Sequence, residues 1–95
     1  MFCYKLHEIQ GHVILGVCDK DILGKTIRAD PEFVVNGSFY FHKEAEEKAL
    51  EAIFKECTMA NLVGKKIVDF ALKRKLITKE NIIMIGEVPH AQLVR

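Results

Sequence analysis

The chain has 95 residues, of which 49% are hydrophobic and 28% charged, with two prolines, six glycines and a net charge of +1. Such a composition excludes a disordered protein, the length suits one small domain over 1–95, and the near-neutral balance excludes a global pull towards nucleic acid or anionic membrane. No apolar run approaches the roughly 20 residues that span a bilayer, and Met1-Phe2-Cys3-Tyr4-Lys5-Leu6 lacks the basic-then-apolar order of a signal peptide, so a soluble cytoplasmic protein with no membrane partner is expected.

In chain order, residues 2–9 and 12–18 read as a β-hairpin turning at Gln10-Gly11, since two-residue turns favour glycine. Period-two alternation about that turn puts Tyr4, Leu6, Val13, Leu15 and Val17 on one face, the expected core side. Cys3, Lys5, His7, Ile9, His12, Ile14 and Cys18 fall on the other. Next comes a short turn, capped by Asp19 and ended by Gly24 in the left-handed conformation. Residues 26–28 extend briefly, Asp30-Pro31 breaks the chain, and 32–35 reads as a third strand. Asn36-Gly37-Ser38 is a turn leading into the aromatic run Phe39-Tyr40-Phe41.

Residues 43–57 read as the first long helix, with Ala45, Ala49, Leu50, Ala52, Ile53, Phe54 and Cys57 in an apolar stripe near period 3.6. Thr58-Met59-Ala60-Asn61-Leu62-Val63-Gly64 then reads as a helix junction. Thr58 or Asn61 would cap a second helix, and Gly64 would lie in its first turn, where no side chain keeps a ligand away. That helix runs to about residue 75, burying Leu62 or Val63, Ile67, Phe70, Ala71 and Leu72. Lys73, Arg74 and Lys75 suit the negative end of its dipole. Residues 76–81 form a polar connection on an apolar anchor. Residues 82–85 and 91–94 are two last short strands around a loop shaped by Pro89. The order implies an α+β domain: a mainly antiparallel sheet with an N-terminal hairpin, two consecutive helices on one face and C-terminal short strands.

Three stretches together resemble an archaeal family catalogued as domain of unknown function 424: Cys18-Asp19 with Leu23-Gly24-Lys25-Thr26, then Asn61-Leu62-Val63-Gly64, then Ile85-Gly86-Glu87-Val88-Pro89-His90-Ala91. The resemblance covers nearly the whole chain in matching order. It implies a small single domain with no assigned activity and a link to RNA work, because genes of the family often sit among translation and ribosome-related genes. The chain departs from the pattern after Phe39-Tyr40, where Phe41-His42 stands in place of two glycines. A ligand contact made through bare backbone at that loop would be lost here.

Several residues invite chemistry. Gly24-Lys25-Thr26 has the end of a phosphate-binding loop, but the earlier glycine that loop needs falls on Asp19, so a capped turn with a surface lysine is the simpler reading. Cys3, Cys18, His7 and His12 share a strand face without any Cys-x-x-Cys spacing, which favours free thiols and surface histidines over a metal site. Three cysteines, odd in number, imply no disulfide framework. Cys18 or Cys57 with His42 or His90 would need a base in reach and a lowered thiol pKa. Glu44, Glu46, Glu47 and Glu51 are spaced as a solvated helix face.

Lys65 and Lys66 stand out, since lysine opposes the dipole at a helix start. Two ammonium groups beside exposed amides suit a phosphate, and Lys20, Lys25 and Arg28 could join them. His90 suits stacking on a base or bonding a phosphate, and equally bonding a carbonyl of its own loop. The leading expectation is a non-catalytic RNA- or ribosome-associated domain linked to translation. It would bind phosphates through Lys25, Asn61, Gly64, Lys65, Lys66 and His90, with no cofactor and no metal. The alternatives are a small-ligand-binding protein or enzyme with a pocket of Cys18, Asp19, Asn61 and His90, and a protein-binding adaptor anchored by Phe39-Tyr40-Phe41. No oligomeric state is assigned.

Overall fold

The N-terminal hairpin sets the register for the rest of the molecule. In the computed structural model, which describes residues 1–95, β1 (Phe2–Ile9) and β2 (His12–Asp19) pair antiparallel from Phe2 opposite Asp19 to Ile9 opposite His12. Gln10 and Gly11 take φ values of 50° and 82°. Two left-handed residues give a turn whose twist matches the strands it joins. The core side falls where alternation puts it: Leu15 and Val17 are buried, and Tyr4, Leu6 and Val13 pack against the same cluster.

The remaining elements are β3 (Thr26–Ala29), β4 (Glu32–Val34), α1 (Gly37–Tyr40), β5 (Lys43–Ala45), α2 (Glu47–Lys55), β6 (Met59–Val63), α3 (Lys65–Lys73), β7 (Ile82–Ile85) and β8 (Val88–Val94). Turns of 3-10 helix lie at Lys20–Ile22 and Lys79–Asn81. Six strands form one sheet in the order β5-β1-β2-β6-β8-β7, while β3 and β4 pair only with each other. Every neighbouring pair is antiparallel except β2 with β6. This is the α+β arrangement, with α2 and α3 over one face.

Four expectations change. Residues 58–64 are not a helix junction: Met59–Val63 is a central strand, held by β2 on one side and β8 on the other. Two ready ladders outweigh the weak helix propensity of Asn61 and Val63. Thr58 consequently caps nothing and exchanges hydrogen bonds with the Val13 backbone instead. Residues 43–45 are likewise a strand, pairing with β1, so the first helix begins only at Glu47 and ends at Lys55. The second helix stops at Lys73, because Lys75 turns left-handed at φ 59°. Its N–H donates to the Leu72 carbonyl and that of Leu76 to the Ala71 carbonyl, which closes the helix end. Residues 86–90 are not one loop: Gly86-Glu87 is a two-residue turn, and Pro89 and His90 already belong to β8.

Both faces of the sheet carry a core. On the helical face, Leu50, Ile53 and Phe54 of α2 and Ile67, Phe70 and Ala71 of α3 cover Leu15, Val17, Ala60, Leu62 and Ala91. Phe54 stacks on Phe70 at 5.9 Å between centroids. Arg74 lies 4.2 Å over the Phe70 ring while bonding Glu51 at 2.8 Å, tying α3 to α2. On the opposite face Cys3, Cys18 and Val63 pack with Val35 and Tyr40, delivered by the segment running from β3 through α1.

Candidate functional site

Because β2 and β6 run parallel, Cys18 opposite Val63, their carboxyl ends open side by side at Asp19 and Gly64. Ligands favour the carboxyl ends of parallel strands. α3 begins directly after Gly64, whose φ of 129° suits glycine and strains other residues. Glycine at the capping position leaves α3 without a side-chain cap of its own.

Asp19 fills that gap from across the sheet. Its Oδ2 accepts from the Lys66 N–H at 3.0 Å and its Oδ1 from the Ile67 N–H at 2.9 Å, residues 47 and 48 positions further on. These are the amides a local cap would satisfy. A β-carbon on Gly64 would collide with the Asp19 carboxylate, so the glycine makes room for the cap. Asp19 is the one charged residue in the interior, at 5% exposure. Burial raises its pKa above the ordinary carboxylate value, outweighing the two amide bonds that act to lower it. The short turn after β2, by contrast, gets no cap from this side chain.

The anion at the positive end of α3 is therefore internal. What remains for an outside anion is the pair of exposed side chains, Lys65 and Lys66. They border a shallow depression with Gly64, Asp21, Ile22 and Glu87. Neither lysine lies in an ion pair, whereas Lys20 pairs with Glu44 at 3.2 Å, Lys73 with Asp69 at 3.0 Å, and Arg74 with Glu47 and Glu51.

The β7–β8 turn also reaches this junction. The Gly64 N–H donates to the Pro89 carbonyl at 3.0 Å, and Gly86 lies against the Ile27 carbonyl. His90 sits on β8 opposite Val63, half-buried and edge-on to Phe33 at 6.3 Å. Burial lowers its pKa and so favours the neutral ring. Lys25 is exposed on its turn, outside the depression. Asn61 lies within β6, accepting from Gln92 Nε2 at 3.0 Å. The structure thus unites Gly64, Lys65 and Lys66, leaves His90 one residue beyond the Pro89 contact, and sets Lys25 and Asn61 apart.

Cys18, Asp19, Asn61 and His90 make no hydrogen bond to one another. Cys18 lies opposite Cys3 across the hairpin, both thiols free, and its pKa is pushed up to about 12, first by burial and then by Cys3. Cys57 donates to the Phe54 carbonyl, and its pKa is also raised by burial. Thiols held protonated are poor nucleophiles and poor metal ligands. His7 stacks on Phe39 at 4.6 Å and bonds its carbonyl at 2.9 Å. Of the three aromatics, Tyr40 is buried and Phe39 packed, leaving Phe41 as the exposed one. Sequence reasoning missed Asp19 as the α3 cap and Asp21 and Glu87 as rim carboxylates. The available signal was a helix start at Gly64 with no Ser, Thr, Asp or Asn immediately before it.

A family model described as protein of unknown function, DUF424, matches residues 7–95. The chain is also similar in structure to an uncharacterized conserved protein from Methanopyrus kandleri. That crystal structure shares 26% identity and a TM-score of 0.77, over 99% of this chain and 93% of the other. None of the curated proteins matches. The family match takes in β2, the Asp19–Gly64 junction and the β7–β8 turn alike, and on its extent the chain belongs to the DUF424 family.

Proposed function

We propose a non-catalytic RNA- or ribosome-associated domain linked to translation, which contacts phosphates through Lys65 and Lys66. One observation carries the reading: two adjacent, exposed lysines stand in the first turn of α3 beside Gly64, and neither is engaged by a carboxylate. Lysine at that end opposes the helix dipole, and an external anion offsets the cost. Asp19 already holds the Lys66 and Ile67 amides, so the contact runs mainly through the lysine side chains. Asp21 and Glu87 on the rim, with a net charge of only +1, restrict the contact to one or two phosphates. Lys25 is an outlying contact. Asn61 and His90, engaged with Gln92 and Phe33, stand back from it.

Co-sedimentation with ribosomes and with total RNA, repeated from low to high salt, tests this. Binding should weaken with salt, with a log–log slope of roughly −1.4 for two phosphates on a single strand. Lys65→Glu with Lys66→Glu should abolish it and flatten the slope. No binding by the folded protein at low salt would overturn the reading.

A further inference from the structure

Three neighbouring strands, β2, β6 and β8, each bring a turn or a helix start to the same end of the sheet. After β2 comes the Lys20–Ile22 turn, after β6 the start of α3, and before β8 the Gly86-Glu87 turn. Together they line a depression of about 290 Å³ beside Asp19 and Gly64. Small-ligand sites begin at about 300 Å³.

The lining carries both signs of charge. Lys65 and Lys66 come from α3, Asp21 and Glu87 from the two turns, and all four are exposed. None of them lies in an ion pair. Ile22 and Val88, half-buried against the smaller core, supply the apolar part. The Glu87 turn is fixed on both sides, by the Gly64 N–H on the Pro89 carbonyl and by Gly86 against the Ile27 carbonyl.

A ligand complementary to this lining presents an anion to the lysines and hydroxyl or amine donors to the carboxylates. It carries no second anion on the carboxylate side, where like charges repel. Inside an RNA strand every ribose has a phosphate on each side, so one of the two would fall on the carboxylates. The 3′-terminal nucleotide has a phosphate only on its 5′ side and a free 2′,3′-diol on the other. Ribose hydroxyls donate to carboxylates in just this way in nucleotide-binding folds.

Resting on the phosphate contact proposed above, we infer that the depression receives the 3′ end of a single RNA strand. Lys65 and Lys66 hold the last phosphodiester, and Asp21 and Glu87 accept from the 2′- and 3′-hydroxyls. The sugar lies against Ile22 and Val88. The 2′-hydroxyl makes the contact selective for RNA over DNA.

Fluorescence anisotropy of the full chain with a short 5′-labelled RNA, in EDTA at low salt, is the test. One sequence is compared with a 2′,3′-diol, a 2′,3′-dideoxy or a 3′-phosphate end. The dideoxy end should bind about tenfold more weakly than the diol, and the 3′-phosphate more weakly still. Asp21→Asn with Glu87→Gln, both on the surface, should erase the penalty on the 3′-phosphate. Free adenosine 5′-monophosphate should compete poorly; displacement at the Kd of the RNA itself would make a mononucleotide the ligand and overturn the inference. A preference for the diol that survives Asp21→Asn with Glu87→Gln would overturn it too. Equal binding of all three ends, still abolished by Lys65→Glu with Lys66→Glu, would overturn the end recognition and leave the phosphate contact standing. Absence of binding to any end would overturn both.

Discussion

Asp19 is the residue on which the site turns. It satisfies two α3 amides from the far side of a parallel strand pair, in a space that Gly64 keeps open. Asparagine in its place would keep one acceptor oxygen but turn an amide group towards the second N–H. One buried donor would then lose its partner, and the dipole its counter-charge. Asp19→Asn should therefore cost about 1–3 kcal/mol in urea unfolding. A loss within about 0.5 kcal/mol, typical of neutral surface changes, would mean that the cap does not hold α3. Gly64→Ala should also destabilise, through its strained φ and its collision with the carboxylate. Combined with Asp19→Ala it should cost less than the sum, since the collision is gone. Asp19 was visible in the sequence as an acidic residue at a turn, but its real partners lie 47 and 48 positions away, beyond any local pattern.

At the scale of elements, legibility followed locality. The β1–β2 hairpin carries its own turn and its own alternation, so its register could be read residue by residue. β5 and β6 carry no such signal. Lys43-Glu44-Ala45 has helical composition but borders the open side of β1, and Met59–Val63 becomes a strand because β2 and β8 flank it. The one-turn α1 shows the same dependence. Asn36 caps it through the Ser38 N–H at 2.8 Å, yet its place is decided by Phe39, which lies on Gly16 of β2 and against the His7 ring. Phe39→Ala should cost about 2 kcal/mol, less than the roughly 3–5 of a fully buried phenylalanine. A near-UV circular dichroism change should accompany it as Tyr40, 4.9 Å away edge-on, loses its neighbour. An unchanged urea midpoint would show that α1 is held by Val35 and Tyr40 alone.

For the whole molecule, the two faces of the sheet are unequal. The helical face joins 16 buried residues in one cluster; the opposite face joins five. Apolar burial dominates stability and scales with area, so the smaller cluster is the weaker of the two. It is also closed by a segment that adds no strand to the six-stranded sheet, because β3 and β4 bond only to each other. Regions with few buried contacts open sub-globally, ahead of the rest. Native-state hydrogen exchange should accordingly fall into two groups. Amides of β2 and β6, flanked by strands on both sides and covered on the helical face, should exchange only through global unfolding. Amides of β3, β4 and α1 should exchange at lower free energy and with a shallower dependence on denaturant. Asp19 and α3 belong to the slow group through the Lys66 and Ile67 amides, so Lys65 and Lys66 would keep their positions while the β3-to-α1 segment opens. Exchange of β3 and β4 at the same free energy as β2 and β6 would show that the two cores act as one cooperative unit. The weaker cluster would then owe its stability to the central strands it shares with the larger one, through Cys18 and Val63.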